Sequence, residues 1–363
     1  MNYLNIIEVI MIFILLFIPG FRNLLISKEN QQPSNLKPER SGALDAIRGI
    51  SMIGIVLIHV HSYISYYHPE DSILNFTRSI ANLSRFSVPI FIITSGIHLS
   101  FKGYREYVNA RLYHLILPYT IFCFIGYPTK YSLSLDSLHD FGFRYITGTI
   151  FEPYYYIPLI LQFYILFFLF EKFFSQSAIR LWLLLGISFG INFLSNLFFP
   201  KGNFLELSTF TNFIFFFSLG YSGRNLLRNP KYFLNYFETN QLKWLLLFIL
   251  ALCIGTILFF TLSAGFALSN HSLLYPTICF FLMYYLSIQR EIKGKKAIFS
   301  ILEYIGKNSL FIFLGHPIFI HIQHSWDPYA FGGRELSWLV ILFLNLGVPL
   351  SIGELYKLVF KGK

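Results

Sequence analysis

The chain has little charge. Only 13% of its 363 residues are Asp, Glu, Lys or Arg, against about 25% in a soluble domain, whereas 55% are hydrophobic and 20% aromatic. Apolar blocks of about 17–25 residues, the length that crosses a bilayer as a helix, recur from end to end. The polar faces of soluble helices and the short alternating strands of a membrane β-barrel are not evident. We therefore predict an all-α fold, a polytopic transmembrane helical bundle.

Cysteine is also scarce, and its spacing excludes two site types. The three cysteines lie inside apolar blocks without CxxC or Cys/His spacing, which predicts buried and inert thiols; they are Cys123, Cys253 and Cys279. No metal site is expected, because the closely spaced His316, His321 and His324 have no carboxylate among them.

Acidic residues are fewer than basic ones, which gives a formal charge of +10. Cytoplasmic loops of membrane proteins collect Lys and Arg, so the excess indicates a lipid bilayer as partner and no nucleic acid. If the linker 21–43 is cytoplasmic, the outside loops hold few of the 28 basic residues, namely Arg78, Arg85, Lys130, Arg144, Lys201 and Arg334. This asymmetry predicts an N-terminus outside and a cytoplasmic C-terminus.

The apolar blocks predict eleven spans, about ten core helices plus one extra N-terminal span. They are 4–20, 44–65, 79–100, 115–128, 154–171, 181–199, 208–223, 244–262, 272–288, 308–322 and 336–356. Span 115–128 is expected to be broken by Pro118 and Pro128. Residues 1–40 would form an anchor span and cytoplasmic linker, and residues 41–363 the main transmembrane domain.

The stretch LDAIRGISMIGIVLIH, residues 44–59, places Asp45, Arg48 and His59 in a segment otherwise suited to lipid. A charge within a span costs at least ~2.5–3.5 kcal/mol, so such residues are usually near an end, paired or functional. In a helix, Arg48 and His59 share one face and lie ~16 Å apart. The face would carry an anion-binding group at the inner mouth and a base deeper in, an arrangement suited to group transfer across a membrane. A snorkelling Arg48 and a hydrogen-bonded interior His59 remain the structural alternative.

Other polar residues near the predicted outer side are candidates for binding the molecule that accepts the transferred group, or for lining its pocket. Arg85 is a second deep arginine, about six residues into its span, and is either a snorkelling anchor or functional. Glu152 precedes three tyrosines and could bind an acceptor hydroxyl. Those tyrosines, Tyr154, Tyr155 and Tyr156, favour an interfacial aromatic belt over a sugar-stacking surface.

The stretch 44–59 resembles the first core helix of the membrane-bound acyltransferase 3 family, in which an Arg is separated by ten residues from a His. Further blocks resemble that family in the same order: SRFSVPIFIITSGIHLS, RLYHLILPY, YYYIPLILQFYILFF and IGKNSLFIFLGHPIF. The resemblance covers residues ~42 to 319. It implies about ten transmembrane helices in a bacterial inner membrane. It also implies transfer of an acyl group from cytoplasmic acyl-CoA to a carbohydrate or glycolipid at the outer side.

The resemblance also implies roles for individual residues. His59 would be the essential histidine and Arg48 the essential arginine. Arg111 would be the first arginine of an Arg-x-x-Arg motif, whose second position here is His114, so donor binding there is weaker or different. His316 would be structural or pocket-lining. Acyl-CoA is expected as a co-substrate, with no bound cofactor and with acetyl as the expected acyl group.

The chemistry calls for a base that removes the acceptor's hydroxyl proton, and His59 suits this because its ordinary pKa is near neutrality. Direct attack is preferred, although an acyl-enzyme on Ser62 is possible. Asp45 would hold Arg48 and not orient His59, and the predicted donor-binding residues are Arg48, Arg111, His114 and Asp45. The alternative function is export of a polysaccharide or lipid-linked sugar, because YYYIPLILQFY resembles the branch of this family whose members have been viewed as exporters. An exporter would need a continuous polar path. The intramembrane polar residues outside the first core helix are instead scattered, namely Gln162, Asn192, Asn196 and Asn212.

Overall fold

The computed structural model describes residues 12, 41–100, 104–132, 137–175, 177–198, 207–227, 230–239, 241–265, 272–294, 296–326 and 329–360, and those residues form helices and turns without a strand. The helices are α1 (Gly42–Tyr67), α2 (Leu74–Leu83), α3 (Ser87–His98), α4 (Tyr104–Arg111), α5 (Leu117–Lys130), α6 (Ser137–Thr147), α7 (Tyr156–Phe173), α8 (Ala178–Phe198), α9 (Ile214–Leu227), α10 (Pro230–Thr239), α11 (Leu242–Ala264), α12 (Leu274–Lys293), α13 (Ala297–Lys307), α14 (Ser309–Gln323) and α15 (Tyr329–Phe360).

Seven helical stretches of the described chain are long and apolar enough to cross a membrane, and the bent pair α13–α14 would make an eighth. They are Gly42–Tyr67, Leu74–His98, Tyr104–Lys130, Glu152–Phe173, Ala178–Phe198, Leu242–Ser263 and Leu336–Tyr356. The prediction of a polytopic helical membrane protein is therefore confirmed. Apart from Ile12, the predicted N-terminal span 4–20 lies outside the described residues, and so do residues 21–40 of the linker.

Two predicted spans, 208–223 and 272–288, are not among these stretches. The first corresponds to α9, whose 14 residues rise only ~21 Å, less than the ~30 Å hydrocarbon core. The second corresponds to α12, which carries Arg290 and Lys293 in its last turn. Both helices are largely buried against other helices, which explains why they read as apolar in the sequence.

The predicted break at Pro118 is wrong, because one helical stretch runs from Tyr104 to Lys130. A π-turn at Leu112–Ile116 joins α4 to α5, and the Leu117 N–H donates to the Leu112 carbonyl, five residues back. The wider turn accommodates Pro118, whose ring would otherwise collide with the carbonyl four residues before it. As a consequence, Arg111 and His114 lie within a helical stretch and not in a loop between the predicted spans 79–100 and 115–128.

The start of α1 is fixed by contacts with α12 and α13. The Glu291 carboxylate accepts hydrogen bonds from the Gly42 and Ala43 N–H groups, both at 3.2 Å, and so satisfies donors that a helix N-terminus leaves unpaired. Gly306 faces α1 so closely that a Cβ there would lie 1.7 Å from the Asp45 carbonyl oxygen. Small residues permit such backbone contact between membrane helices, and they set the position of Arg48 one turn further on.

Candidate active site

The clearest polar arrangement in the described chain is a seam between α1 and α14, which we name the α1/α14 seam. It has three contacts: Arg48 Nη2 donates to Ser309 Oγ at 3.2 Å, the His59 and His316 rings lie 5.3 Å apart, and the Tyr67 and His324 rings stack at 3.9 Å. The last two contacts are separated by eight residues on each segment, from His59 to Tyr67 and from His316 to His324. The two segments therefore run side by side in the same direction.

This direction depends on a bend before the seam. The pair α13 and α14 is bent by 76° at Asn308, whose side-chain amide donates to the Tyr304 carbonyl at 2.9 Å. The bend turns α14 along α1 and brings Ser309 to Arg48. Because α13 packs on α1 through glycine, the register of α14 along α1 follows from these two features.

A cavity of ≈ 260 Å³ opens at the Arg48 end of the seam. Besides Tyr156 and Tyr164, its polar lining comes from five residues on four segments of the chain, namely Arg48, Ser95, Arg111, His114 and Ser309. The structure thus brings together three of the four predicted donor-binding residues. The fourth, Asp45, is buried one turn before Arg48 and is not among the lining residues.

Arg111 is held in place by aromatic rings. Its guanidinium carbon lies 4.0 Å from the Tyr107 ring centroid and 5.0 Å from that of Tyr164. The Tyr107 hydroxyl donates to the Tyr164 carbonyl at 3.0 Å, which ties the two tyrosines together. Cation–π contacts of this kind orient a guanidinium without neutralising it. Two arginines therefore face one cavity, an arrangement that suits a phosphate or another anion.

Part of the cavity wall is apolar and aromatic. Ile55, Phe91, Tyr156 and Phe313 line it, and the Phe313 ring lies 5.4 Å from that of Tyr156 and 6.1 Å from that of His316. His59 is one helical turn beyond Ile55 and is not part of the lining. Phe313 therefore connects the cavity wall to the histidine pair.

His316 has a defined protonation pattern within the pair. Its ring is buried, and Nδ1 lies 2.8 Å from the Ile312 carbonyl, which can only accept, so Nδ1 carries the proton. Pro317 lacks an N–H, which also leaves the Phe313 carbonyl free to bond this ring. Within the described chain His316 Nε2 has no hydrogen-bond partner. Its lone pair is thus available beside His59.

Arg85 is deeper in the membrane than the sequence predicted. It lies in the 3₁₀ turn Ser84–Phe86, near the middle of the spanning stretch Leu74–His98, because that stretch starts five residues earlier than expected. Its guanidinium interacts electrostatically with His59 and with Tyr155. A third charged or titratable group therefore accompanies the histidine pair.

The aromatic belt predicted for the three tyrosines is wrong. Tyr154 and Tyr155 are buried inside the protein, and the Tyr154 hydroxyl donates to the Leu314 carbonyl at 2.6 Å. Tyr156 lines the cavity and is hydrogen-bonded to Ser95. Adjacent tyrosines suit either a lipid interface or a packed turn, and here the 3₁₀ turn Glu152–Tyr155 directs them inward. Glu152 itself is exposed.

Ser62 and the neighbouring His61 lie off the seam. The Ser62 hydroxyl is exposed and donates to the Ile58 carbonyl at 3.1 Å. His61 Nδ1 lies 3.0 Å from Thr77 Oγ1, on another face of α1. Sequence reasoning missed Ser309, Tyr164 and the pairing of His316 with His59, although the spacing 309, 313, 316 follows one face of a helix.

The site belongs to a multi-pass membrane protein with a cationic cavity beside an imidazole pair, and sequence comparisons identify its class. The acyltransferase-domain profile of the acyltransferase 3 family matches residues 41–353. The chain belongs to this family, as the sequence motifs predicted, and the family's activity makes it a membrane acyltransferase.

The curated relatives have low sequence identity to the chain. The chain is 26% identical over 334 residues to proteins named "Probable poly-beta-1,6-N-acetyl-D-glucosamine export protein" from Staphylococcus aureus strains MSSA476, MW2 and MRSA252, and each match covers 85% of this chain and 92% of the relative. No solved structure matches the chain significantly. The family profile thus points to acyl transfer, whereas these relatives are named for export of a polysaccharide.

Proposed function

We propose that this protein transfers an acyl group from a cytoplasmic acyl-CoA to a hydroxyl of an extracytoplasmic carbohydrate, with His59 as general base. The observation that carries the proposal is the α1/α14 seam, which has a cavity with two arginines at one end and the His59–His316 pair one turn beyond it. The seam offers separate places for an anionic donor and for proton transfer along one direction of the bundle.

The proposed orientation places the Arg48 end in the cytoplasm and the Tyr67 end outside. The distribution of Lys and Arg supports it, because most basic residues then lie in cytoplasmic segments. The N-terminus is outside and the C-terminus cytoplasmic in this arrangement, and the membrane is the cell (inner) membrane. The cavity then opens toward the compartment that contains acyl-CoA.

Donor binding would use the charged part of the cavity. Arg48 and Arg111 would bind the phosphates of CoA, with His114 at the rim. Asp45, one turn before Arg48, would help to position it. The thioester end would lie toward Ile55 and Phe313, where the lining is apolar. Acyl-CoA is thus a co-substrate that leaves as CoA.

In the proposed reaction the acceptor hydroxyl oxygen attacks the thioester carbonyl carbon. His59 takes the hydroxyl proton, a C–O bond forms, the C–S bond breaks, and the same proton passes to the departing thiolate. Arg85, which interacts electrostatically with His59, would stabilise the oxyanion that forms at the carbonyl. His316 Nε2 would accept from one His59 nitrogen and leave the other free to act as base.

We propose that the acceptor is a glycan of the poly-N-acetylglucosamine type. The support is the name of the relatives, which match most of the chain. The aromatic residues at the Tyr67 end of the seam are also compatible with a carbohydrate.

Export of such a glycan is the second candidate, and the relatives' name is its support. The polar residues that would line an export path serve the backbone elsewhere in the bundle. Gln162 donates to the Ser208 carbonyl at 2.8 Å and accepts from the Phe210 N–H at 3.1 Å, and Asn192 donates to the Asn212 carbonyl. These bonds satisfy backbone groups around the 3₁₀ turn Phe210–Asn212, as irregular backbone in a membrane requires.

One experiment separates the two candidates. Cells carrying His59→Ala would be compared with cells carrying the control His61→Ala, which changes a neighbouring histidine off the seam. The measurements are acyl transfer from labelled acetyl-CoA in membranes and the amount of glycan outside. We expect His59→Ala to lower transfer by about 10²–10⁴-fold while unmodified glycan still arrives. Loss of the external glycan itself would favour export and contradict the proposal.

A further inference from the structure

The third contact of the α1/α14 seam has no role in the donor cavity or in the proton transfer. It lies at the ends of both segments, where Tyr67 stacks on His324 at 3.9 Å with planes inclined by only 19°. Tyr66 stands against Tyr67 at 4.8 Å and nearly at a right angle to it. We name Tyr66, Tyr67, His324 and Trp326 the aromatic platform.

The aromatic platform is open on one side and joined to the site on the other. Tyr66 is 78% exposed and Trp326 is 46% exposed. Tyr67 also contacts the buried Tyr63 at 4.9 Å, and Tyr63 is one turn beyond His59 on α1. The same face of α1 therefore leads from His59 through Tyr63 to exposed rings.

We propose that the aromatic platform binds a pyranose ring of the acceptor glycan; this inference rests on the proposed function and deepens it. Sugars suit the platform because the C–H face of a pyranose packs on an aromatic ring, while tyrosine hydroxyls and imidazole nitrogens bind its polar groups. A lipid acyl chain needs no such polar groups. An interfacial belt also needs no stacking between rings of two different helices.

The position of the platform sets which sugar it binds. Tyr67 is eight residues beyond His59, a rise of ~12 Å along the helix, which exceeds the width of one pyranose ring. The sugar on the platform is therefore not the sugar that reacts. The acceptor is an oligosaccharide or longer, in which one residue stacks at Tyr67 while another presents its hydroxyl to His59.

The test uses the full-length protein in proteoliposomes, with soluble N-acetylglucosamine oligosaccharides as acceptors. Tyr67→Ala and Trp326→Ala are compared with Tyr67→Phe, which keeps the ring, and with Trp244→Ala. Trp244 is a suitable control because it is 65% exposed and lies on α11, away from the seam. Initial rates against acceptor concentration give kcat and KM for each variant.

We expect Tyr67→Ala and Trp326→Ala to raise the acceptor KM about tenfold, the loss of one aromatic packing contact, with kcat within about twofold. Tyr67→Phe should raise the KM less than Tyr67→Ala does, because it keeps the ring and loses only the hydroxyl, and Trp244→Ala should stay near the wild type. A monosaccharide acceptor should show the same KM with all variants, because it does not reach the platform. An unchanged oligosaccharide KM in both alanine variants, or a fall in kcat alone, would overturn the proposal and leave the rings as an interfacial belt.

A second readout keeps this proposal separate from the proposed function. Binding of the oligosaccharide without donor is followed by tryptophan fluorescence of the wild type and of Tyr67→Ala. A wild type that binds the oligosaccharide but transfers no acyl group refutes the proposed function and leaves the platform intact. A wild type that transfers acyl groups while Tyr67→Ala binds the oligosaccharide equally well refutes the platform alone.

Discussion

The described chain contains two buried polar regions that differ in what their hydrogen bonds serve. Around Gln162 and Asn192, side-chain amides bond the backbone of a neighbouring irregular stretch. Along the α1/α14 seam, Arg48 faces a cavity and His316 Nε2 has no bonded partner within the described residues. Polar groups in a membrane are costly, so the first region is explained by stability. The second region is where we propose that a ligand binds and a reaction takes place.

The largest effect on acyl transfer is expected from a change at His316 in the second region. His316→Asn keeps an N–H that can bond the Ile312 carbonyl but removes Nε2, the atom we assign to orienting His59. We expect transfer from labelled acetyl-CoA to fall about 100-fold, with an unchanged unfolding temperature in detergent.

The control for that change is His321→Ala on the same helix, whose ring bonds the Thr129 carbonyl at 3.0 Å, away from His59. It should retain wild-type turnover. Full activity of His316→Asn would show that the pair serves packing only and that the seam resembles the first region.

A smaller effect is expected at Arg111. Lysine keeps the charge, but it has no planar guanidinium to lie between Tyr107 and Tyr164 or to bind a phosphate through two N–H groups. Arg111→Lys should raise the acetyl-CoA KM about tenfold with little change in kcat, measured at fixed salt. The exposed Arg105 on the same helix provides the matched Arg105→Lys control, and an equal KM shift in both variants would indicate a general charge effect.

Asn192 should give the opposite result, because it belongs to the region explained by stability. Asn192→Ala removes the donor to the buried Asn212 carbonyl and should cost about 1–3 kcal/mol of folding free energy. Thermal unfolding monitored by size-exclusion chromatography should show the loss. Activity per folded molecule should be unchanged, and a specific loss of kcat would mean that the amide takes part in catalysis or in a transport path.

The smallest effect is expected on α6, which contacts neither region. Arg144 Nε donates to both Asp140 carboxylate oxygens, at 2.9 and 2.7 Å, and this bonding lowers the pKa of Asp140 below its ordinary value. Because the pKa of Asp140 is lower in the folded state, its ionised carboxylate stabilises α6 at pH values above the unfolded-state pKa of about 3.9. This stabilisation is lost as the pH falls through the folded-state pKa. The hydrogen-exchange protection factors of α6, which are corrected for the pH dependence of intrinsic exchange, should fall at that acid pH in the wild type and should not change with pH in Asp140→Asn.

Parts of this picture follow from sequence because they depend on local pattern. The apolar run that starts before Asp45 predicted α1 within two residues at each end, and the family motifs predicted that Arg48, Arg111 and His114 meet. The pairing of His59 with His316 did not follow, since it depends on the bend at Asn308 and on the contact of Gly306 with α1. Those contacts join residues more than 250 positions apart.

Other differences arose where one pattern fits two structures. Pro118 predicts a break in most helices, yet a π-turn carries the helix past it. Three successive tyrosines suit a lipid interface, yet the turn at Glu152 buries two of them. In both places the outcome depends on backbone geometry that hydrophobic periodicity does not encode.

The central claim is that the seam connects a donor on one side of the membrane with an acceptor on the other. Its most direct test is acyl transfer in sealed proteoliposomes that enclose an N-acetylglucosamine oligosaccharide, with labelled acetyl-CoA added only outside. We expect label on the enclosed oligosaccharide with the wild type and none with His59→Ala. Label that appears only on oligosaccharide added to the same side as acetyl-CoA would contradict it.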